Sequence, residues 1–270
     1  MANRSYLYSL DNRPKTFADR PETICGLSEW PYVIPLSYRV LMSGDPQLCA
    51  SFVSEGFADQ PAGEETKIYA ISSDFELGFA RLKRLFSIIR PLAESAPNLL
   101  AQMTETLTFL EAHKHRYLLL ETVELDMMSA EGGPALRASV EAEVNECRRL
   151  GAAIDAFPAD PGAAGAALKA ALEHQAEPPF DVFWGLRLDD RFDHTRDGST
   201  ERPLGLGNWD ESLYYQLWNR AEFESSYTPP VVSAADDRRR PSRTLFIALA
   251  CVLLVAVLLQ VLLRLCSSSR

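Results

Sequence analysis

The densest gathering of groups able to do chemistry is Asp189-Asp190-Arg191-Phe192-Asp193-His194. Carboxylates at a strand end with one imidazole suit oxygen-preferring divalent cations, which makes Asp189, Asp193 and His194 the metal-site candidates. The polar continuation Thr195-Arg196-Asp197-Gly198-Ser199 fits a solvated loop instead, and we assign neither a metal nor a cofactor. Glu121, Glu124 and Asp126 are spaced to supply an acid/base pair. On a strand Glu124 and Asp126 share a face; on a helix Glu121 and Glu124 do. We read them as surface carboxylates.

Cys147 lies beside Arg148 and Arg149, neighbours of the kind that activate a thiol. No histidine adjoins it in the chain, so an inert thiol is the simpler reading. His113 and His115 flank Lys114 at a helix end, where cationic side chains complement the helix dipole. Gly205-Leu206-Gly207 lacks the third glycine of a phosphate-binding turn. There is no GxSxG, Walker A, HExxH or paired CxxC, and no catalytic residue is assigned. What remains is aromatic. Trp184, Trp209, Tyr214, Tyr215 and Trp218 crowd the C-terminal third. Such residues fill cores, and they are also enriched at interfaces, which makes these five the candidate interaction residues.

Hydrophobic spacing suggests the elements that carry these groups. Ser5–Leu10 alternates and reads as a strand. Leu27–Pro35, with two prolines, reads as a packed loop. Helices are expected over Pro35–Leu41 and Pro46–Ser54, and a strand over Lys67–Ser72. Phe75, Phe79, Leu82, Phe86 and Ile89 recur every three or four residues, which predicts a helix over Asp74–Leu92 with Ser73 and Glu76 as its capping box. Further helices are expected over Pro97–Lys114, over Pro134–Leu150 with Gly151 as its stop, and from Pro161 to His174. Tyr117–Val123 fits a strand or a buried helix. Phe180–Leu188 alternates as a strand, and Asn208 with Glu211 starts an aromatic helix to Phe223. The fold class is α+β: a mostly helical domain over 1–224 with a few short strands, either whole or as two subdomains meeting near 130.

The chain carries 37 acidic and 27 basic residues, and two of the acids, Asp236 and Asp237, and six of the arginines lie beyond Ala235. The part before that point is therefore strongly acidic, at a net charge of −14. Such a field repels nucleic acid and admits a basic protein partner. Three scattered cysteines (Cys25, Cys49 and Cys147) fit a reducing compartment better than a disulfide framework.

Leu245 to Leu263 contains nineteen consecutive uncharged residues, apolar except for Gln260 and centred on Leu254. At ~1.5 Å per residue the run spans about 28 Å, close to the ~30 Å core of a bilayer. We read 244–264 as a single-pass transmembrane helix, 225–243 as a Pro/Arg-rich linker and 265–270 as a short exported tail. Arg238, Arg239, Arg240 and Arg243 precede the span and only Arg264 and Arg270 follow it, which keeps the large domain in the cytoplasm.

The opening Met1–Tyr8, the Trp30–Pro46 block, the helix after Ser73-Asp74 and Tyr117–Glu121 resemble an uncharacterised family of bacterial cytosolic proteins that begin with MANRSYLY. The resemblance covers about the first 130 residues and implies a fold without an assigned activity. Together these features suggest a non-catalytic interaction module tethered to the bacterial inner membrane, with an immunity or antitoxin-like protein as one concrete form. The alternatives are a membrane-anchored hydrolase or metal enzyme using Asp189–His194, and a scaffold of an envelope complex.

The anchor makes a direct prediction. The full chain should sediment with membranes and resist carbonate extraction, and a chain ending at Arg243 should move to the supernatant. Complete recovery of the full chain in the soluble fraction would refute the span.

Overall fold

The alternation of the opening residues builds the centre of the fold. Tyr6, Tyr8 and Leu10 point to one side of β1 (Arg4–Leu10), and Leu7 points to the other. The computed structural model describes residues 3–16, 19–52, 67–128, 132–173, 176–194, 201–210 and 217–226. Its five strands form one antiparallel sheet of order β2-β1-β5-β4-β3, with β2 at Ile24–Pro31, β3 at Gln47–Ala50, β4 at Tyr69–Asp74 and β5 at Tyr117–Glu121. The helices are α1 (Leu36–Met42), α2 (Phe75–Ile89), α3 (Pro97–Ala112), α4 (Val123–Asp126), α5 (Gly133–Ala156), α6 (Pro161–Glu173) and α7 (Arg220–Ser226). The mixed α+β class expected from the sequence is therefore present.

The sheet is buried on both faces. Leu7, Ile71, Leu118 and Leu120 join a large core with the apolar stripes of α1, α2, α3, α5 and α6. Tyr6, Tyr8, Leu10, Ala70 and Leu119 join a smaller core closed by Phe52 and Cys49. The larger core draws residues from both sides of position 130 and runs unbroken between them. Residues 1–223 form one compact unit and 224–270 a second. The segment Leu245–Leu263, with Leu254, lies outside the described residues, as do Tyr214, Tyr215 and most of the expected linker. Among the described residues no helix is long and apolar enough to cross a membrane.

Tertiary pairing overrides several local signals. Leu27–Pro31, expected as loop, belongs to β2, because Pro31 ends an edge strand where its missing N–H breaks no ladder. Pro46–Ser54, expected as helix, instead supplies β3, which pairs with β4 from Gln47↔Ser72 to Ala50↔Tyr69. Tyr117–Glu121 resolves to a strand because β1 and β4 flank it on both sides. The α2 cap shifts by one residue: Asp74 Oδ1 accepts from Leu77 N, while the Ser73 hydroxyl accepts from Asp45 N. Gly151 does not stop α5, which continues to Ala156 and leaves Gly151 beneath the Arg81 guanidinium. Phe180–Leu188 is not a strand: Phe180–Phe183 makes a 3-10 turn, and Leu186 forms a single bridge to Arg202. Residues 208–210 do not start a helix. Trp209 bridges to Ser28 and Asp210 N donates to Leu27 O, which covers the open edge of β2.

Helix α1 crosses α2 where Gly78 meets Leu41, and a Cβ on Gly78 would land on the Leu41 carbonyl oxygen. On α6, a Cβ on Gly165 would make ordinary contact with Leu92. The same substitution should therefore have opposite signs. Gly78→Ala should destabilise by about 3 kcal/mol through overpacking. Gly165→Ala should stabilise by about 0.5–1 kcal/mol through lower backbone entropy in the unfolded chain. Urea midpoints of the two variants check both signs.

Candidate functional site

The Asp189–His194 segment follows Leu188 as a series of turns, and its acids are already committed. Asp193 Oδ1 accepts from Gly205 N at 2.6 Å, and Oδ2 accepts from Leu206 N at 2.8 Å and Gly207 N at 3.0 Å. Burial pushes this carboxyl up from its ordinary value against the pull of those backbone donors. Gly205 has φ 79°, and Pro35 occupies the space its Cβ would need, so only glycine fits where Asp193 holds the loop. Asp189 is paired with Arg187 at 2.6 Å, which lowers its carboxyl below the usual range. Asp190, which sequence reasoning left without a role, accepts from the first amides of α3, Asn98 N and Leu99 N. His194 is exposed, and its backbone N–H donates to Arg191 O. Among the described residues no three His, Cys, Asp or Glu side chains gather as a metal cage.

The second group of acids corrects the sequence reading more sharply. Glu121 is fully buried at the end of β5 and is not a surface carboxylate. It faces the smaller core beside Tyr6, its partner across β1. Its carboxylate accepts from Ser51 Oγ at 2.8 Å and Phe52 N at 2.7 Å. Arg20 closes this side, donating to Phe52 O and Trp218 O and lying over the Phe52 and Phe223 rings. Glu124 accepts from Tyr6 Oη and Arg4 N, each at 2.9 Å. Asp126 accepts from Thr122 Oγ1 and Ser139 Oγ. Each acid joins chain segments distant in sequence. The signal for this was the uninterrupted apolar run before Glu121, which marks a strand buried on both faces.

Cys147 is buried, and burial pushes its thiol up, with Glu143 adding to the rise. Its neighbours in sequence are engaged elsewhere: Arg148 donates to Pro46 O, and Arg149 pairs with Glu146 and Asp181.

Two of the open concavities are lined by predicted aromatic residues. Trp184, Ile34 and Leu125 line a groove of about 530 Å³, with Arg39 and Arg202 on its wall. Arg39 is clamped by Glu143 through two bonds, at 2.6 and 2.9 Å. Val33 also lines this groove and is exposed, as are Tyr32 beside it in the chain, at 64%, and Met127 and Met128 just after the groove-lining Leu125, Met128 at 60%. Trp209 lines a second groove of about 580 Å³ against α3. Its ring lies 6.0 Å from those of Tyr38 and Phe109. Trp218 is 42% exposed. Trp184 and Trp209 thus line different grooves.

Burial raises Glu121 to about 7, against the pull of Phe52 N–H, Ser51 and Arg20. Between the ordinary value of 4.5 and about 7 the native protein holds a proton that the unfolded chain has released. The Glu121 contribution to stability therefore falls as pH rises through that window, by on the order of 3 kcal/mol in all. Glu121→Gln keeps an oxygen to accept from Phe52 and cannot ionise. Relative to this variant, the wild type should lose about 2–3 kcal/mol between pH 5 and pH 8, measured by urea denaturation at both. A pH-independent difference would contradict the burial.

No curated protein and no solved structure matches the chain. A family described as a domain of unknown function, DUF7822, matches residues 11–171, well over half of the sequence, and includes β2 to β5 and most of the helical core. The protein belongs to that family, DUF7822.

Proposed function

We propose that this protein is a partner-binding domain held at a membrane, with Leu245–Leu263 as the tether and a basic protein as the ligand. The observation that carries the reading is an exposed apolar rim on two groove-lining segments: Val33, which lines the groove with Trp184, its chain neighbour Tyr32, and Met127 and Met128 just after the groove-lining Leu125. Large apolar side chains left together in water mark contact surfaces, because covering them releases ordered solvent. Methionine suits such a rim, since its flexible thioether adapts to different partner shapes. The rim lies within the matched family segment, whereas Trp184 and Trp209 lie beyond it. The acidic balance of the chain before Ala235 would steer a basic partner toward this surface.

One concrete form is an immunity or antitoxin-like protein at a bacterial inner membrane, placed to intercept an incoming basic toxin. The enzyme reading of Asp189–His194 is weaker, because the Asp193 oxygens are already taken by three backbone N–H groups.

The test is site-specific photocrosslinking of the full chain in native membranes. A crosslinker at Val33 or Met128 should give one discrete adduct, and one at Lys169 on α6 should give none. Met128→Asp should cut the Val33 adduct at least tenfold, the loss of a contact worth about 1.4 kcal/mol. Equal labelling at Lys169 would sink the reading.

A further inference from the structure

The second groove, between α3 and residues 206–209, is rich in hydrogen-bond acceptors. Glu105 is exposed and forms no ion pair among the described residues. One of its oxygens accepts from Gln102 Nε2, which turns the Gln102 carbonyl oxygen into the free end of that amide. The hydroxyls of Thr104 and Thr108 donate to the carbonyls of Leu100 and Thr104, so each presents lone pairs. His113 Nδ1 faces the Phe109 carbonyl and must donate to it. On the opposite wall the Leu206 and Gly207 N–H groups are spent on Asp193. Trp209 Nε1–H is buried and has no acceptor among the described residues. The groove thus offers acceptors and a carboxylate, and among its lining residues there is no Lys or Arg.

The remaining wall is apolar: Trp209, Phe109, Leu206 and Ala112. A ligand that satisfies both parts carries an aliphatic stem for the aromatic wall and a cationic head with several donors and no acceptor. Arginine and lysine side chains have that composition, because they bury their methylenes and keep the charge at a polar rim. We infer that this groove receives a basic side chain from a segment of a protein partner, with its head on Glu105 and its stem along Trp209. The volume of about 580 Å³ exceeds that of one side chain and holds a short stretch of peptide. The inference rests on the partner-binding reading and adds a recognition site against α3 that shares no lining residue with the groove at the apolar rim.

Titration of the full chain in neutral detergent, with the tryptophan indoles labelled, tests it. The chain holds four tryptophans, and Trp209→Phe identifies the signal that belongs to the groove. The peptide Gly-Arg-Gly-Arg-Gly should shift the Trp209 signal saturably. Its citrulline counterpart, equal in shape but uncharged, should bind at least tenfold more weakly. Glu105→Gln should weaken the arginine peptide at least tenfold. Glu94→Gln, the same charge change at an exposed site outside the groove, should alter it less than twofold. An unmoved Trp209 signal, equal binding of the citrulline peptide, or equal losses in the two Gln variants would overturn the site. So would spermidine competing as tightly as the peptide, since the groove would then take a small polyamine. None of these outcomes alters the Met128 crosslink, so a failure here is distinguishable from a failure of the partner-binding reading itself.

Discussion

The rest of this structure depends on a sheet that has no solvent face. β5 lies at the centre of five antiparallel strands, with Leu118 and Leu120 in the helical core and Leu119 in the smaller one. A strand covered on both sides cannot shift register by one residue without moving Glu121 from one core into the other. The pairing of β1 and β4 against β5 is therefore fixed by the cost of that misplacement as well as by its hydrogen bonds. Both covering layers must then be supplied from elsewhere in the chain. Five helices supply one, and Phe52, Arg20 and Leu217 contribute to the other.

Carboxylates join these layers, and their cost differs with burial. Asp193 holds residues 205–207 with three charge-assisted bonds at the margin of the protein. Glu121 holds residues 51 and 52 from a fully buried position, where desolvation opposes the ionised form. Each bonded acid removes a conformational choice from a loop. Among the described residues, Asp193, Glu121, Glu124 and Asp126 each spend lone pairs on the protein's own amides or hydroxyls. The acids that look most chemical in sequence are thus the ones most engaged in holding loops.

The exposed surface has a different logic. Glu105 shares α3 with buried Leu99, Met103 and Leu110, yet it lies on the open side of the helix, with Gln102 as its one partner among the described residues. Helix back-bonding by Thr104 and Thr108 uses up their protons and leaves oxygen facing outward. An accepting groove on an acidic domain attracts cations both locally and at long range. The groove at Trp184 instead carries Arg39, Glu201 and Arg202 beside its apolar lining, so the two concavities differ in chemistry.

The sequence by itself determined what depends on neighbours within a few residues. The 3.6-residue spacing of Phe75 to Ile89 marked α2, alternation marked β1, and Pro161 marked the start of α6. The acidic balance and the nineteen-residue apolar run are likewise properties of the string alone. Tertiary structure decided what depends on distant partners. Gln47–Ala50 became a strand because β4 presented an open edge, and Trp209 left its expected helix to pair with Ser28. Glu121 reads as a polar residue until β1, Ser51 and Arg20 close around it. Local periodicity reports which face of an element is apolar. It does not report whether a second layer will cover the other face, and that decides whether a carboxylate meets water or the protein's own donors.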